Sequence, residues 1–297
     1  MVAILQSLAL AGVPGILASH FGGNTSSGIA GGRGSSLLGL PGATADLMIF
    51  NLAVISGLWT RYRQHRLVLA AAAALMVFGV ISAGQFTGVI GLVVGVVCIA
   101  LVLRQPRLLG LFVAASAVGA IILWPVISRR LLGFQSASHT PVSWTTRLYI
   151  LRTYFWPTLF SRLNWLLGVR PAARIPVPTQ VTGYVWIENG YTWLLWGGGI
   201  LLLASFAFFV VVTARSAWQV ARAGRDAQSV AGVAAFTAVI VISVLMISDP
   251  HLTYRGSADE LFFLIALAAP RARRPAPVPV TRRLAPPIRA VMTEVRT

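Results

Sequence analysis

Hydrophobic residues in this chain run on for the length of a membrane crossing instead of alternating with polar ones, and polar residues collect in the gaps. Such runs occupy 2–19, 43–60, 67–83, 86–103, 108–127, 189–213, 228–248 and 257–270, and length and uniformity predict a transmembrane helix for each. In lipid a backbone must satisfy its own hydrogen bonds, and runs this long do so as helices rather than barrel strands. The first run contains Pro14 and lacks both a basic start and an A-x-A-like cleavage site, so it reads as a retained helix and not a signal peptide. The last is short for a crossing, with Asp259 and Glu260 at its start facing protein or water. The pattern predicts an all-α polytopic membrane protein of about eight transmembrane helices with one long extracytoplasmic loop. Its segments are a five-span bundle over 1–127, the loop over 128–188 with amphipathic helices, three spans over 189–270 and a tail over 271–297.

Composition sharpens that picture. Hydrophobic residues make up 57% of the 297 and charged residues only 10%, against about 25% charged in a soluble domain. The net charge of +17 comes from arginine alone, since no lysine occurs. This excess does not point to nucleic acid, because the arginines fall between the spans, where the cytoplasmic bias of short loops accounts for them. Arg61, Arg63 and Arg66, then Arg104 and Arg107, then Arg215, Arg222 and Arg225 fall on one side together with the arginines of the tail. That side is cytoplasmic if the N-terminus is inside, which puts both termini in the cytoplasm of a bacterial inner-membrane protein. The Pro-, Ala- and Arg-rich tail reads as disordered and drawn to anionic headgroups. The single cysteine, Cys98, lies in a span and serves packing.

The outward side carries a Gly/Ser-rich loop over 20–42, the long loop and the short "DPHLTYRGS" over 249–257. Arg129, Arg130, Arg147, Arg152, Arg162, Arg170 and Arg174 face outward in the long loop with only Glu188 to balance them, which suggests an anionic ligand. A solvated basic loop touching lipid phosphates is the alternative. Residues 144–167 predict an amphipathic, aromatic-rich helical segment on the membrane surface, capped by Thr145 or Thr146 and broken near Pro157. Arg147 and Arg152 lie roughly 140° apart on an ideal helix, so they share a ligand only if it is wide or the helix is distorted. The Pro-rich stretch that follows, with Arg170 and Arg174, is extended and crosses the mouth of a cavity. Gly197, Gly198 and Gly199 predict a kink or a close helix approach inside the next span.

A "TTR" element at Arg147, then "LLGVRP", then an acidic position followed by "NGYTWLLWGGG", and finally "DPHLTYRGSADELFFLIALA", occur in that order. This arrangement resembles the O-antigen ligase/polymerase superfamily of bacterial surface-polysaccharide enzymes over about residues 140–270. Family ligases carry a histidine where Glu188 stands, so the chain looks more like a polymerase. Family members have more spans than are read here, which implies a chain short at its N-terminus. The resemblance implies glycosyl transfer from a polyprenyl-diphosphate-linked oligosaccharide to a sugar hydroxyl outside the cytoplasmic membrane. It implies no cofactor and no metal, with the bilayer and other polysaccharide export or assembly proteins as partners.

The residues support that chemistry. A diphosphate leaves readily once cations meet its developing charge, and Arg147, Arg152 and Arg255 are the candidates, with Arg170 and Arg174 as further contacts. Glu188 is the best-placed base for the acceptor hydroxyl. A salt bridge to a loop arginine is its structural alternative. Asp249, His251, Tyr254 and Arg255 form a second outward cluster, with His251 as an alternative base or a sugar contact. Tyr191, one turn after Glu188, is a candidate for hydrogen-bonding it or stacking on a sugar, and equally for core packing. Neither zinc-ligand spacing nor a P-loop is present, and no D-x-D element suggests a metal-held nucleotide sugar. A ligase serving another acceptor, a lipid-linked saccharide transporter and a non-catalytic assembly protein are the competing readings. Spans nearly free of charge argue against the transporter.

Overall fold

The structure is a computed structural model and describes residues 38, 40–122, 124, 127–128, 142–169, 174–176, 184–224 and 226–269. The predicted span at 2–19, Arg170, and the tail over 271–297 lie outside the described residues, as does nearly all of the 20–42 loop. The described chain is mostly helical, and five of its helices are long and apolar enough to cross a membrane. They are α1 (Pro41–Arg61), α2 (Arg66–Ser82, extended by a 3-10 turn at Arg63–His65), α3 (Phe86–Leu103), α8 (Gly190–Ala223) and α9 (Ala227–Leu245). Of the remaining predicted crossings, α4 is described over Arg107–Ile122, and α10 is a 12-residue helix over Ser257–Ala268. At 1.5 Å per residue α10 reaches about 18 Å, well short of a hydrocarbon core of about 30 Å.

The helices on both sides of the long loop share one core. Ala234, Ala235, Ala238 and Ile242 of α9 are buried with Ile49, Phe50, Leu52 and Ala53 of α1, and α3 closes over them with Leu92, Val96 and Ile99. Small residues let these helices approach closely, as lipid-embedded packing requires. A Cβ on Gly232 of α9 would sit 2.6 Å from the backbone nitrogen of Ala221 on α8. Helix starts are marked by the expected side chains: Asn189 accepts from the Thr192 amide at α8, and Asp226 accepts from the Ser229 amide at α9.

The long loop builds a second, smaller core. It contains α5 (Val142–Ile150), a π-helical turn (Leu151–Phe155), α6 (Trp156–Leu159), α7 (Asn164–Leu167) and an antiparallel ribbon of β1 (Arg174–Pro176) with β2 (Tyr184–Trp186). Leu151, Phe155 and Leu159 pack against Val185, Ile187 and Trp196. Two details differ from the sequence reading. The helix begins at Val142, so Thr145 and Thr146 lie inside it and not at its cap. The break expected near Pro157 is present, as a π-helical turn at Leu151–Phe155, and Pro157 is the second residue of the short helix that follows. The extended stretch that follows is paired as a ribbon, so the chain is not purely helical.

The glycine run in α8 does break the helix. Gly199 has φ 64°, a conformation costly for any residue with a Cβ, and a Cβ there would lie 2.0 Å from the Leu166 carbonyl oxygen. The loop helix α7 therefore rests directly on the α8 backbone, and the Val169 amide donates to the Trp196 carbonyl at 2.8 Å. α8 thus divides into a short first part (Gly190 to Gly197), which packs with the loop, and a longer part that runs through the bundle.

Candidate functional site

α1, α8 and α10 begin, and α9 ends, at the same end of the bundle. The Gly190 amide donates to the Met246 carbonyl at 2.7 Å, and the Asn189 amide side chain donates to Ile247. These bonds fix Glu188, one residue before the α8 cap, against the loop that leaves α9. Arg147 reaches the same point from α5. Its Nε lies 2.8 Å from Glu188 Oε2, and its guanidinium donates to Asp249 Oδ2 at 3.1 Å and to the Ser248 carbonyl at 3.3 Å. Three residues separated by up to about a hundred positions in sequence therefore meet on one guanidinium. The Glu188 side chain is 43% exposed and that of Asp249 9%.

Burial opposes the charge on Arg147, but the Asp249 and Glu188 carboxylates outweigh it, so its pKa lies above the ordinary arginine value. At Asp249 the balance is reversed: burial raises the carboxyl above its ordinary range against the pull of Arg147 and His251. The two ends of this ion pair differ because Asp249 is the more deeply buried.

A second polar group lies beneath. His251, 1% exposed, places Nδ1 2.7 Å from Asp46 Oδ2, and the Ser257 hydroxyl donates to the same oxygen at 2.8 Å. Burial lowers the His251 pKa, but Asp46 more than compensates, and the net direction is upward. Among the described residues, Asp46 Oδ1 and His251 Nε2 have no hydrogen-bond partner. The Tyr254 ring lies 4.9 Å from that of His251 and covers Gly42 at the start of α1. Burial, with the nearby Asp249 and Asp46 carboxylates, pushes its hydroxyl pKa upward. Further along α1, Asn51 donates to Glu260 of α10 at 2.9 Å, while Asp259 turns away to accept from the Gly256 amide.

Of the residues singled out from sequence, Arg147, Glu188, Asp249, His251 and Tyr254 are brought together. Arg152 lies exposed in the π-helical turn and Arg255 is exposed beside Tyr254. Arg174 has only its backbone described, in β1. Tyr191 points away from Glu188: its hydroxyl donates to the Ser243 carbonyl at 2.6 Å and its ring meets Phe206 in the α8–α9 seam. Sequence reasoning missed Asp46 and Ser257. The available signal was Asp46 itself, the one charged residue in the predicted span 43–60, where an ionisable group is a functional candidate by default. Among the described residues no cluster of three or more His, Cys, Asp or Glu could hold a metal ion.

Fold and site together define a helical membrane protein with a charged cluster at one end of its bundle. No family model, curated protein or solved structure matches the chain.

Proposed function

We propose that this protein is a membrane glycosyltransferase that polymerises polyprenyl-diphosphate-linked oligosaccharide units at the outer face of a bacterial inner membrane. The observation that carries the reading is Arg147 held between Glu188 and Asp249 where the long loop meets the bundle. An incoming diphosphate competes for the guanidinium, which binds phosphate oxygens bidentately and stays charged. Taking Arg147 from Glu188 frees a half-exposed carboxylate to accept the proton of the acceptor hydroxyl. The hydroxyl oxygen forms a bond to the sugar anomeric carbon, the carbon–oxygen bond to phosphate breaks, and the lipid diphosphate leaves with its charge met by Arg147. Asp249 stays behind Arg147 and holds its orientation. Arg152 and Arg255, both exposed, extend the cationic surface for the donor, and transfer to a different acceptor would use the same groups.

The test supplies purified protein in lipid with a polyprenyl-diphosphate oligosaccharide and no nucleotide sugar. Wild type lengthens glycan chains, and Glu188→Gln or Arg147→Ala lowers the rate about a hundredfold or more. Elongation by Glu188→Gln at the wild-type rate removes the base assignment. The buried Asp46–His251 pair supports a second reading, a transporter of lipid-linked saccharide, because ionisable groups inside a bundle are a mark of transport pathways. Movement of the substrate across vesicles without elongation would favour that reading.

A further inference from the structure

The far end of the bundle has a different chemistry. Where α1 and α3 finish and α9 starts, the helices leave a cavity of about 310 Å³. Buried Val102, Val230 and Val233 contribute to its walls, and exposed Arg61, Arg63, Arg66, Arg104 and Arg222 surround it. None of these five arginines takes part in an ion pair among the described residues. Asp226, the nearby acid, spends its carboxylate capping α9. Several arginines are held by rings instead: Arg222 over Trp218 at 4.7 Å, Arg66 over Trp59 at 5.7 Å and Arg61 over Tyr62 at 5.2 Å. Arg104 sits at φ 53°, a left-handed conformation that a residue with a Cβ adopts at a cost.

Five like charges around one cavity repel each other, and an anion in their midst would relieve that repulsion. Guanidinium groups favour phosphate among anions. Val93, Val97 and Leu101 form an exposed apolar row on α3 that leads to Arg104, so an acyl chain could continue from a headgroup seated in the cavity. We propose that this cavity binds the phosphate headgroup of an anionic phospholipid, with its chains along α3. The site is independent of the glycosyl-transfer reading, since it lies at the opposite end of the bundle from Arg147.

Native mass spectrometry of the full chain released from micelles doped with phosphatidylglycerol or phosphatidylcholine tests this. The wild type retains phosphatidylglycerol in preference to phosphatidylcholine. Arg61→Gln and Arg222→Gln each lower that retention about fivefold, the effect of one basic side chain near a headgroup. Arg215→Gln, at an exposed position of α8 outside the cavity, leaves it unchanged. Equal retention of phosphatidylcholine, or an equal loss in all three variants, overturns a built site in favour of general surface charge. Displacement of the lipid by equimolar inorganic phosphate overturns the lipid as ligand in favour of a soluble anion.

Discussion

The two ends of this bundle use charge in opposite ways. At the end where α8 begins, Arg147 is shared between two carboxylates and His251 is held by a third, each within 3.1 Å. At the other end five arginines surround a cavity with no ion pair among the described residues. Buried charges must be paired, because an unpaired one costs far more than a hydrogen bond returns. Exposed arginines carry no such requirement, since water and lipid headgroups solvate them. The first end is therefore held together by its own ion pairs, whereas the second has none among the described residues.

The largest expected break in that contrast is Asp46→Ala. It strands the His251 imidazole and the Ser257 hydroxyl in a site that water does not reach, and breaking a buried pair in this way costs about 3–5 kcal/mol. Thermal unfolding of purified protein should show a large fall in midpoint. A midpoint within a degree of wild type would mean that the pair is not buried as described, and the distinction between the two ends would lose its basis.

How much of this was legible in the sequence divides along the same line. The apolar runs revealed α1, α2, α3, α8 and α9, because length and hydropathy are local properties. The Gly197–Gly199 run announced its kink for the same reason, as glycine records a backbone need at its own position. Arg147, Glu188 and Asp249 were legible as types of residue, but their meeting was not. Nothing local to "WTTR" encodes a partner more than a hundred positions away at Asp249. Asp46 was overlooked because its span was read for hydrophobicity, although one aspartate in an apolar helix was the clearest local sign of a buried partner. The break near Pro157 was legible because proline removes an amide and crowds the carbonyl four residues before it, but its form, a π-helical turn at Leu151–Phe155 packed on Trp196, was not.

A smaller effect sharpens the comparison through pH. The folded His251 pKa is raised above its ordinary 6.5, so the folded protein binds that proton more tightly than the unfolded chain. The resulting stabilisation is fully present below 6.5 and is lost as pH climbs through the folded value. Asp249, also raised, acts with the same sign, beginning from its ordinary carboxylate value of 3.8. Unfolding midpoints followed from about pH 5 to about pH 9 should fall more steeply for wild type than for His251→Gln. A wild-type midpoint that rises with pH relative to the variant would show that Asp46 does not favour the imidazolium.

The smallest expected effect belongs to Arg63→Gln. Arg63 stands at the exposed rim of the far cavity, in the 3-10 turn before α2, with no ion pair among the described residues and no buried side chain in its turn. Removing its charge leaves no carboxylate stranded and relieves some repulsion from Arg61 and Arg66. An exposed substitution of this kind shifts stability by no more than about 0.5 kcal/mol in either direction. The unfolding midpoint in a zwitterionic micelle should therefore stay where it is. In micelles containing phosphatidylglycerol the wild type should gain a stabilisation that the variant partly loses, because a ligand that binds only the folded state raises its stability by mass action. A loss of stability in the zwitterionic micelle, comparable to that of Asp46→Ala, would place Arg63 in a structural role. The two ends would then differ in composition alone.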